Sequence, residues 1–143
     1  MNISLKDLIG KYVYKNNDEE PRGRVKGVCF ADEGNRISSV TVESLSLIPL
    51  STSVAINELL DTGNKKLILQ TEMHTEKDKN GLGDNRVSCV VYKDSKYGKI
   101  KDMRFDFETG EITDMVIGKG AFRRGKKITV NKMHIKDNTI YIE

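Results

Sequence analysis

Two stretches of this chain decide its fold: residues 23–37 read GRVKGVCFADEGNRI and residues 98–112 read GKIKDMRFDFETGEI. Extended to residues 42 and 117, they align without a gap, and five of the 20 aligned positions are identical. Chance alone gives about one identity over that length, and five of the other 15 positions exchange Val, Ile and Met or Ser and Thr. The sequence therefore predicts two copies of one structural unit.

The spacing of apolar residues inside each copy predicts bulged β-strands. Steps of three and then two residues occur at Val25, Val28 and Phe30, and again at Ile37, Val40 and Val42. The aligned positions of the second copy repeat both patterns. A regular strand keeps a step of two, so each step of three indicates one extra residue, a β-bulge. Gly and Asn between the strands indicate a tight hairpin turn.

The composition agrees with a mostly β fold. Of the 143 residues, 24 are Val or Ile and three are Ala. β-branched side chains favour strands, whereas Ala favours helices. Five or six short coiled strands per copy predict two small closed or nearly closed β-barrels in tandem. Residues 4–8 and 53–60 are each compatible with a helical turn.

The repeat also predicts the domain organisation. The first copy takes residues 1–70 and the second takes residues 87–143. Residues 71–86 between them read TEMHTEKDKNGLGDNR, which is polar and has no apolar period, so we expect a linker or a long exposed loop there.

The second copy resembles the central hairpin of the PRC-barrel family. The resemblance rests on the pattern GKIxDxxFDxETGEI at residues 98–112, and in the first copy on the Ile-Pro-Leu segment at residues 48–50. It implies small β-barrels that serve as adaptors, of the type found in the photosynthetic reaction-centre H subunit and in a ribosome-maturation factor. The first copy departs from the pattern at Gly27, Ala31 and residues 34–35, so the two copies are not expected to have equal roles.

No side-chain pattern in the sequence indicates an enzyme. His74 lies in the polar connection and His134 lies in a short apolar run, while Cys29 and Cys89 occupy strand-like segments. Their spacing matches neither a zinc site nor a nucleophile with its base. The acidic residues around Thr109–Gly110 fit turn chemistry better than a calcium loop. We therefore predict a protein without catalytic residues, metal or cofactor.

One basic segment is a candidate binding site. Residues 119–127 read KGAFRRGKK, with no acidic residue among them. The candidate contacts to an anion or RNA are Lys119, Phe122, Arg123, Arg124, Lys126 and Lys127. Cations around an aromatic ring can hold phosphates and stack on a base, whereas the alternative is a solvated connection between strands. The net charge of the whole chain is only +3, which is low for a nucleic-acid-binding domain.

Two functions follow as hypotheses. The first is a non-enzymatic adaptor of the PRC-barrel type that binds a protein partner, with a homodimer among the expected assemblies. The alternative is an RNA- or ribosome-associated maturation factor that uses the basic segment. The longest uncharged run, at residues 44–57, is too short and too polar for a membrane span, and residues 1–11 lack the apolar core of a secretory signal, so we expect a cytoplasmic location.

Overall fold

The computed structural model describes residues 2–16, 18–62, 66–70, 81–82, 89–119 and 124–143, and this part of the chain is mostly β. The two helical elements are single turns, at the places where the sequence is compatible with them. In the described ranges no helix is long and apolar enough to cross a membrane. The sequence-based expectation of a mostly β fold is confirmed.

Fifteen strands and two helical turns make up the described chain. The first half contains β1 (Asn2–Ser4), α1 (Leu5–Leu8), β2 (Tyr12–Lys15), β3 (Gly23–Phe30), β4 (Ile37–Ser44), β5 (Ser51–Ala55), a 3₁₀ turn (Ile56–Glu58), β6 (Leu59–Asp61) and β7 (Lys66–Leu69). The second half contains β8 (Gly81–Leu82), β9 (Cys89–Tyr92), β10 (Ser95–Tyr97), β11 (Lys99–Asp106), β12 (Ile112–Gly118), β13 (Lys126–Thr129), β14 (Met133–Lys136) and β15 (Thr139–Ile142).

The strand order recurs between the halves. In the first half the order is β5-β4-β3-β2-β7-β6, with β2 and β7 parallel and the other neighbours antiparallel. In the second half, β13-β12-β11 corresponds to β5-β4-β3, and β9-β15-β14 corresponds to β2-β7-β6, with β9 and β15 parallel. These two groups of strands belong to two separate sheets. Among the described strands no pairing closes either half into a barrel.

The predicted bulges lie where the steps of three occur. On β3 the pairing with β4 shifts between Val25 and Gly27, and again between Cys29 and Phe30. On β11 the pairing with β12 shifts at the equivalent positions, between Ile100 and Asp102 and between Arg104 and Phe105. The bulges keep the apolar side chains on one face, and Val28, Phe30, Val40, Met103, Phe105 and Met115 are all buried.

The tips of the two long hairpins pair with each other. The backbone N–H of Ile37 donates to Gly110 O at 2.7 Å, and the N–H of Ile112 donates to Asn35 O at 2.8 Å. In the repeat alignment Ile37 corresponds to Ile112 and Asn35 corresponds to Gly110, so the two hydrogen bonds are equivalent. The halves are therefore related by a local pseudo-two-fold axis at this contact. The side-chain amide of Asn35 adds a hydrogen bond to Ile112 O at 3.1 Å.

The halves also exchange their leading strands. Strand β1 precedes β2 in sequence but pairs antiparallel with β11 of the second half. Strand β8 precedes β9 but pairs antiparallel with β3 of the first half. Residues 81–82 therefore form a strand within the predicted connection, while residues 71–80 and 83–86 of that connection lie outside the described part of the chain.

One hydrophobic core connects the two halves. A single cluster of buried side chains includes Leu8, Val40 and Leu67 from the first half and Phe105 and Ile140 from the second. A unit of about 70 residues buries a smaller fraction of its surface than a larger domain does, so a shared core adds stability that neither half has alone. The two halves are expected to unfold together.

The inter-half contact predicts unequal effects at two glycines. Gly34 and Gly110 have almost the same positive φ, 79° and 81°, but a Cβ at Gly34 meets nothing within 4 Å, whereas a Cβ at Gly110 would overlap Ile37 O. We expect Gly34→Ala to cost about 1 kcal/mol from backbone strain alone. Gly110→Ala should cost about 3 kcal/mol or more, because the tip-to-tip hydrogen bonds must also separate.

The measurement is urea unfolding of both variants beside the parent chain. Gly34→Ala is the matched control, since it carries the same backbone strain without the clash. Equal losses for the two variants would show that the contact between the tips contributes nothing to stability.

Candidate functional site

The basic segment lies at the far end of the second hairpin from the shared tips. Lys119 directly follows β12, Arg124 precedes β13, and Lys126 and Lys127 begin β13. All four side chains are exposed. Phe122 and Arg123, the other two predicted contact residues, lie outside the described residues. Four of the six predicted residues are therefore placed at one end of the molecule.

Two tyrosines, which sequence reasoning missed, join this basic end. The ammonium of Lys126 lies 5.4 Å from the ring centroid of Tyr92, and that of Lys119 lies 5.5 Å from the ring centroid of Tyr97. Lys93 also lies over Tyr92, at 5.4 Å. Both rings are half-buried and pack against the core. Each cation therefore interacts with the negative face of an aromatic ring.

The hairpin of β9 and β10 positions the tyrosines. Its turn residues Lys93 and Asp94 have φ of 47° and 64°, as a two-residue turn of type I′ requires, and Tyr92 pairs with Ser95 across the strands. A signal for this hairpin is present in the sequence, where two tyrosines flank the Lys-Asp turn. Its proximity to Lys119 and Lys126 is a tertiary contact that no local pattern reveals.

We define the basic end as Tyr92, Lys93, Tyr97, Lys119 and Lys126, with Arg124 and Lys127 beside them. Within the described chain no ion pair joins Lys93, Lys119 or Lys126 to a carboxylate. Their charges are therefore available to an anionic partner. The lysine stems and tyrosine rings also offer apolar surface beneath the charges.

The equivalent end of the first half has a different chemistry. The connection from β4 to β5 holds Leu45, Leu47, Ile48 and Leu50, four aliphatic residues in six positions. Leu47 is fully exposed, Ile48 is 79% exposed and Leu50 is 67% exposed. Such a group of neighbouring exposed aliphatic side chains is unusual on a monomer, so we treat this loop as a candidate interaction site.

Hydrogen bonds hold this apolar loop, residues 45–50, in one shape. At its base, Ser44 N donates to Leu50 O and Leu50 N donates to Ser44 Oγ, both at 2.9 Å. Inside it, Ser46 Oγ donates to Ile48 O at 2.7 Å. These hydrogen bonds fix the backbone at Ile48 and Leu50, so the aliphatic side chains project from a loop that is restrained at its base and its centre.

The remaining candidates from the sequence have structural roles where they are described. Cys29 is buried, with its Sγ 3.5 Å from Thr41 Oγ1, and His134 stacks on Tyr141 with ring centroids 4.9 Å apart. His74 lies outside the described residues, and so does the side chain of Cys89. In the described ranges no group of three His, Cys, Asp or Glu side chains could hold a metal ion.

The acidic hairpin turn is organised by Asp106. Its Oδ1 accepts hydrogen bonds from the backbone N–H groups of Glu108, at 2.8 Å, and Thr109, at 3.1 Å. The hydrogen bonds from Thr109 and then Glu108 lower the pKa of the exposed Asp106 carboxyl below its usual range. Turn chemistry thus accounts for this acidic residue, as the sequence indicates.

The described chain is mostly β and is built around two long bulged hairpins, and the family comparison agrees with a small β unit of this kind. Residues 1–71 match the model of the PRC-barrel domain, so this part of the chain belongs to the PRC-barrel family. No curated protein matches the chain in sequence. The predicted resemblance to the PRC-barrel family is confirmed for residues 1–71, while the hairpin motif at residues 98–112 lies outside the matched range.

Asp106 predicts a pH dependence of stability. Because its pKa is lower in the folded chain than in the unfolded chain, its contribution is fully present above the unfolded pKa and is lost as the pH falls through the folded pKa. Asp106→Asn should therefore be less stable than the parent at pH 7, and the difference should shrink as the pH falls towards the folded pKa. Urea unfolding at several pH values measures this difference.

A carboxyl titration by NMR provides the direct check. The Asp106 carboxyl should titrate below 3.8, the value from which the pKa is lowered. A titration at or above that value would show that the two backbone hydrogen bonds do not favour the ionised form.

Proposed function

We propose that this chain is a non-enzymatic binding module that attaches to a protein partner in the cytoplasm, built from two units of the PRC-barrel type in tandem. The family match over residues 1–71 supports the first unit. The second unit is supported by the bulges that recur at equivalent positions of the two copies and by the recurring order of strand pairings.

The observation that carries the proposal is the ordered apolar loop at residues 45–50. A flexible loop would lose conformational entropy on binding, whereas hydrogen bonds from Ser44 and Ser46 already hold this one. Its exposed aliphatic side chains gain free energy when a partner removes them from water, at about 25 cal/mol for each Å² of apolar surface buried. Pre-organisation and exposed apolar surface together favour protein recognition.

The non-enzymatic part of the proposal rests on how the chemical side chains are used. Cys29 is buried beside Thr41, and Asp106 holds a turn through two backbone N–H groups. His134 is stacked on Tyr141. Each of these side chains is explained by packing or turn geometry, and catalysis requires an acid, base or nucleophile positioned against a substrate site.

The alternative function, an RNA- or ribosome-associated maturation factor, is favoured by the basic end. Its lysines lie over tyrosine rings, an arrangement that can contact both phosphates and bases. Phosphate contacts make binding strongly salt-dependent. We prefer protein binding, because the apolar loop has no use in phosphate recognition and the net charge of the chain is only +3.

A photocrosslinking experiment in host cells tests the proposal. We expect a photoreactive amino acid at Leu47, such as benzoylphenylalanine, to form one discrete adduct with a protein. The matched control places the same residue at Lys136, which is exposed on β14 far along the chain from the loop. Labelling from Leu47 that is no stronger or more specific than labelling from Lys136 would contradict protein binding through the loop.

The same cells separate the two functions. The native protein should sediment in a density gradient as a complex that resists ribonuclease. Migration with ribosomal particles that collapses after ribonuclease treatment, and that is lost in an Arg124→Ser/Lys126→Ser/Lys127→Ser variant, would instead establish the RNA-associated function.

A further inference from the structure

The two ends of the molecule differ in charge, loop by loop. One end, in the first half, holds the apolar loop. At this end the connection from β2 to β3 carries Asp18, Glu19 and Glu20 with only Arg22 as a basic residue. Arg22 is already paired with Asp18 at 3.1 Å. Glu19 and Glu20 are exposed, and residues 16–22 carry a net charge of −2 at the end of the strands that also holds the apolar loop, with Lys15 and Lys66 lining the same cleft as Glu19.

The corresponding loops of the second half carry the opposite charge. The segment that stands where residues 16–22 stand in the first half, residues 93–98, contains Lys93 in its turn and Lys96 in β10 against one acid, Asp94. The loop that corresponds to the apolar loop begins with Lys119 and ends at Arg124, Lys126 and Lys127. Beneath these charges lie the half-buried rings of Tyr92 and Tyr97. This end thus combines positive charge with aromatic surface.

The two ends point away from each other. The bridge between the hairpin tips, at Arg36 and Glu111, is antiparallel, so β4 and β12 leave it in opposite directions. Each strand then runs seven or eight residues to its distal loop, which corresponds to about 25 Å of extended chain. One molecule therefore cannot bring its own apolar loop onto its own basic end.

We propose that the apolar loop of one molecule docks on the basic end of a second copy of this chain. The aliphatic side chains of Leu47 and Ile48 would pack against the tyrosine rings and lysine stems, while Glu19 and Glu20 would face the ammonium groups. This inference rests on the proposed protein-binding function and names its partner. The aliphatic side chains of one surface contact the apolar part of the other, and the acidic residues of one face the basic residues of the other.

The contact is heterologous, because it joins two different surfaces. A pair of molecules therefore still has one unoccupied apolar loop and one unoccupied basic end. Assembly then continues head to tail and gives chains or rings rather than a symmetric dimer. Opposite charges at the rim accelerate association and make it sensitive to salt, while the apolar centre provides the affinity.

Sedimentation velocity of the purified full-length protein tests this assembly with three variants. The loop variant is Leu47→Ser/Ile48→Ser, and the basic-end variant is Lys119→Glu/Lys126→Glu. The matched control, Lys132→Glu/Lys136→Glu, makes the same charge change at exposed lysines outside both ends, Lys132 lying beside the hairpin tip at Gly34 and Asn35. Circular dichroism and thermal unfolding of each variant verify that it is folded.

The native protein and the control should form oligomers whose size rises with concentration and falls with added salt. Each of the two end variants alone should be monomeric at concentrations about tenfold above the native dissociation constant. An equimolar mixture of the loop variant and the basic-end variant should form a one-to-one dimer and nothing larger, because the mixture contains one intact loop and one intact basic end.

Two results would overturn the proposal. A native protein that stays monomeric at several hundred micromolar would exclude self-association, and end variants that fail to complement each other in the mixture would exclude a head-to-tail contact. The Leu47 crosslinking experiment separates this failure from failure of the proposed function. An adduct with a different protein would leave the binding module intact and remove only the second copy as its partner, whereas the absence of any protein adduct would remove both.

Discussion

The whole molecule depends on the reciprocal hydrogen bonds between the two hairpin tips. Ile37 donates to Gly110 and Ile112 donates to Asn35, so each half completes the backbone pairing of the other. Gly110 is required there because its positive φ and lack of a Cβ let it approach Ile37 O closely. This contact, together with the exchanged strands β1 and β8, joins two small units into one core.

The shared framework allows the two distal ends to diverge. Loops tolerate substitution better than the strands that carry them, because they contribute little to the core. One framework thus carries an aliphatic loop with an acidic neighbour at one end and lysines over tyrosines at the other. In the assembly that we propose, this divergence is necessary, since two different surfaces can bind each other whereas two identical basic surfaces would repel.

The hairpins could be predicted from the sequence because the bulges follow from local geometry. A step of three between Val25 and Val28 requires one extra residue on the strand, and the pairing shifts there. Short matches were less informative. The triplet Val-Tyr-Lys occurs at residues 13–15 and 91–93, which would make Val91 the equivalent of Val13. In the structure the equivalent of Val13 is Val90, since both are buried and occupy the same position in the parallel strand pairs. A displacement of one residue exchanges the two faces of a strand.

The functional ends were only partly predictable. The charges of residues 119–127 are visible in the sequence, but their contact with Tyr92 and Tyr97 depends on tertiary packing. The apolar loop could not be predicted from the sequence, for a different reason. Ile48 and Leu50 are apolar residues of the kind that strands bury, and only the structure shows that both side chains are exposed in a loop. The exchange of β1 and β8 was also invisible, since both strands are short and carry no distinctive pattern.

Native-state hydrogen exchange at the amides of Ile37 and Ile112 tests most directly whether the two halves form one cooperative body. If they do, both amides exchange only through global unfolding, with the same free energy as the core strands β4 and β12 and the same dependence on urea. Exchange of either amide by a local opening, with a free energy well below that of its own strand, would show that the tips separate while the halves stay folded, and would contradict the account.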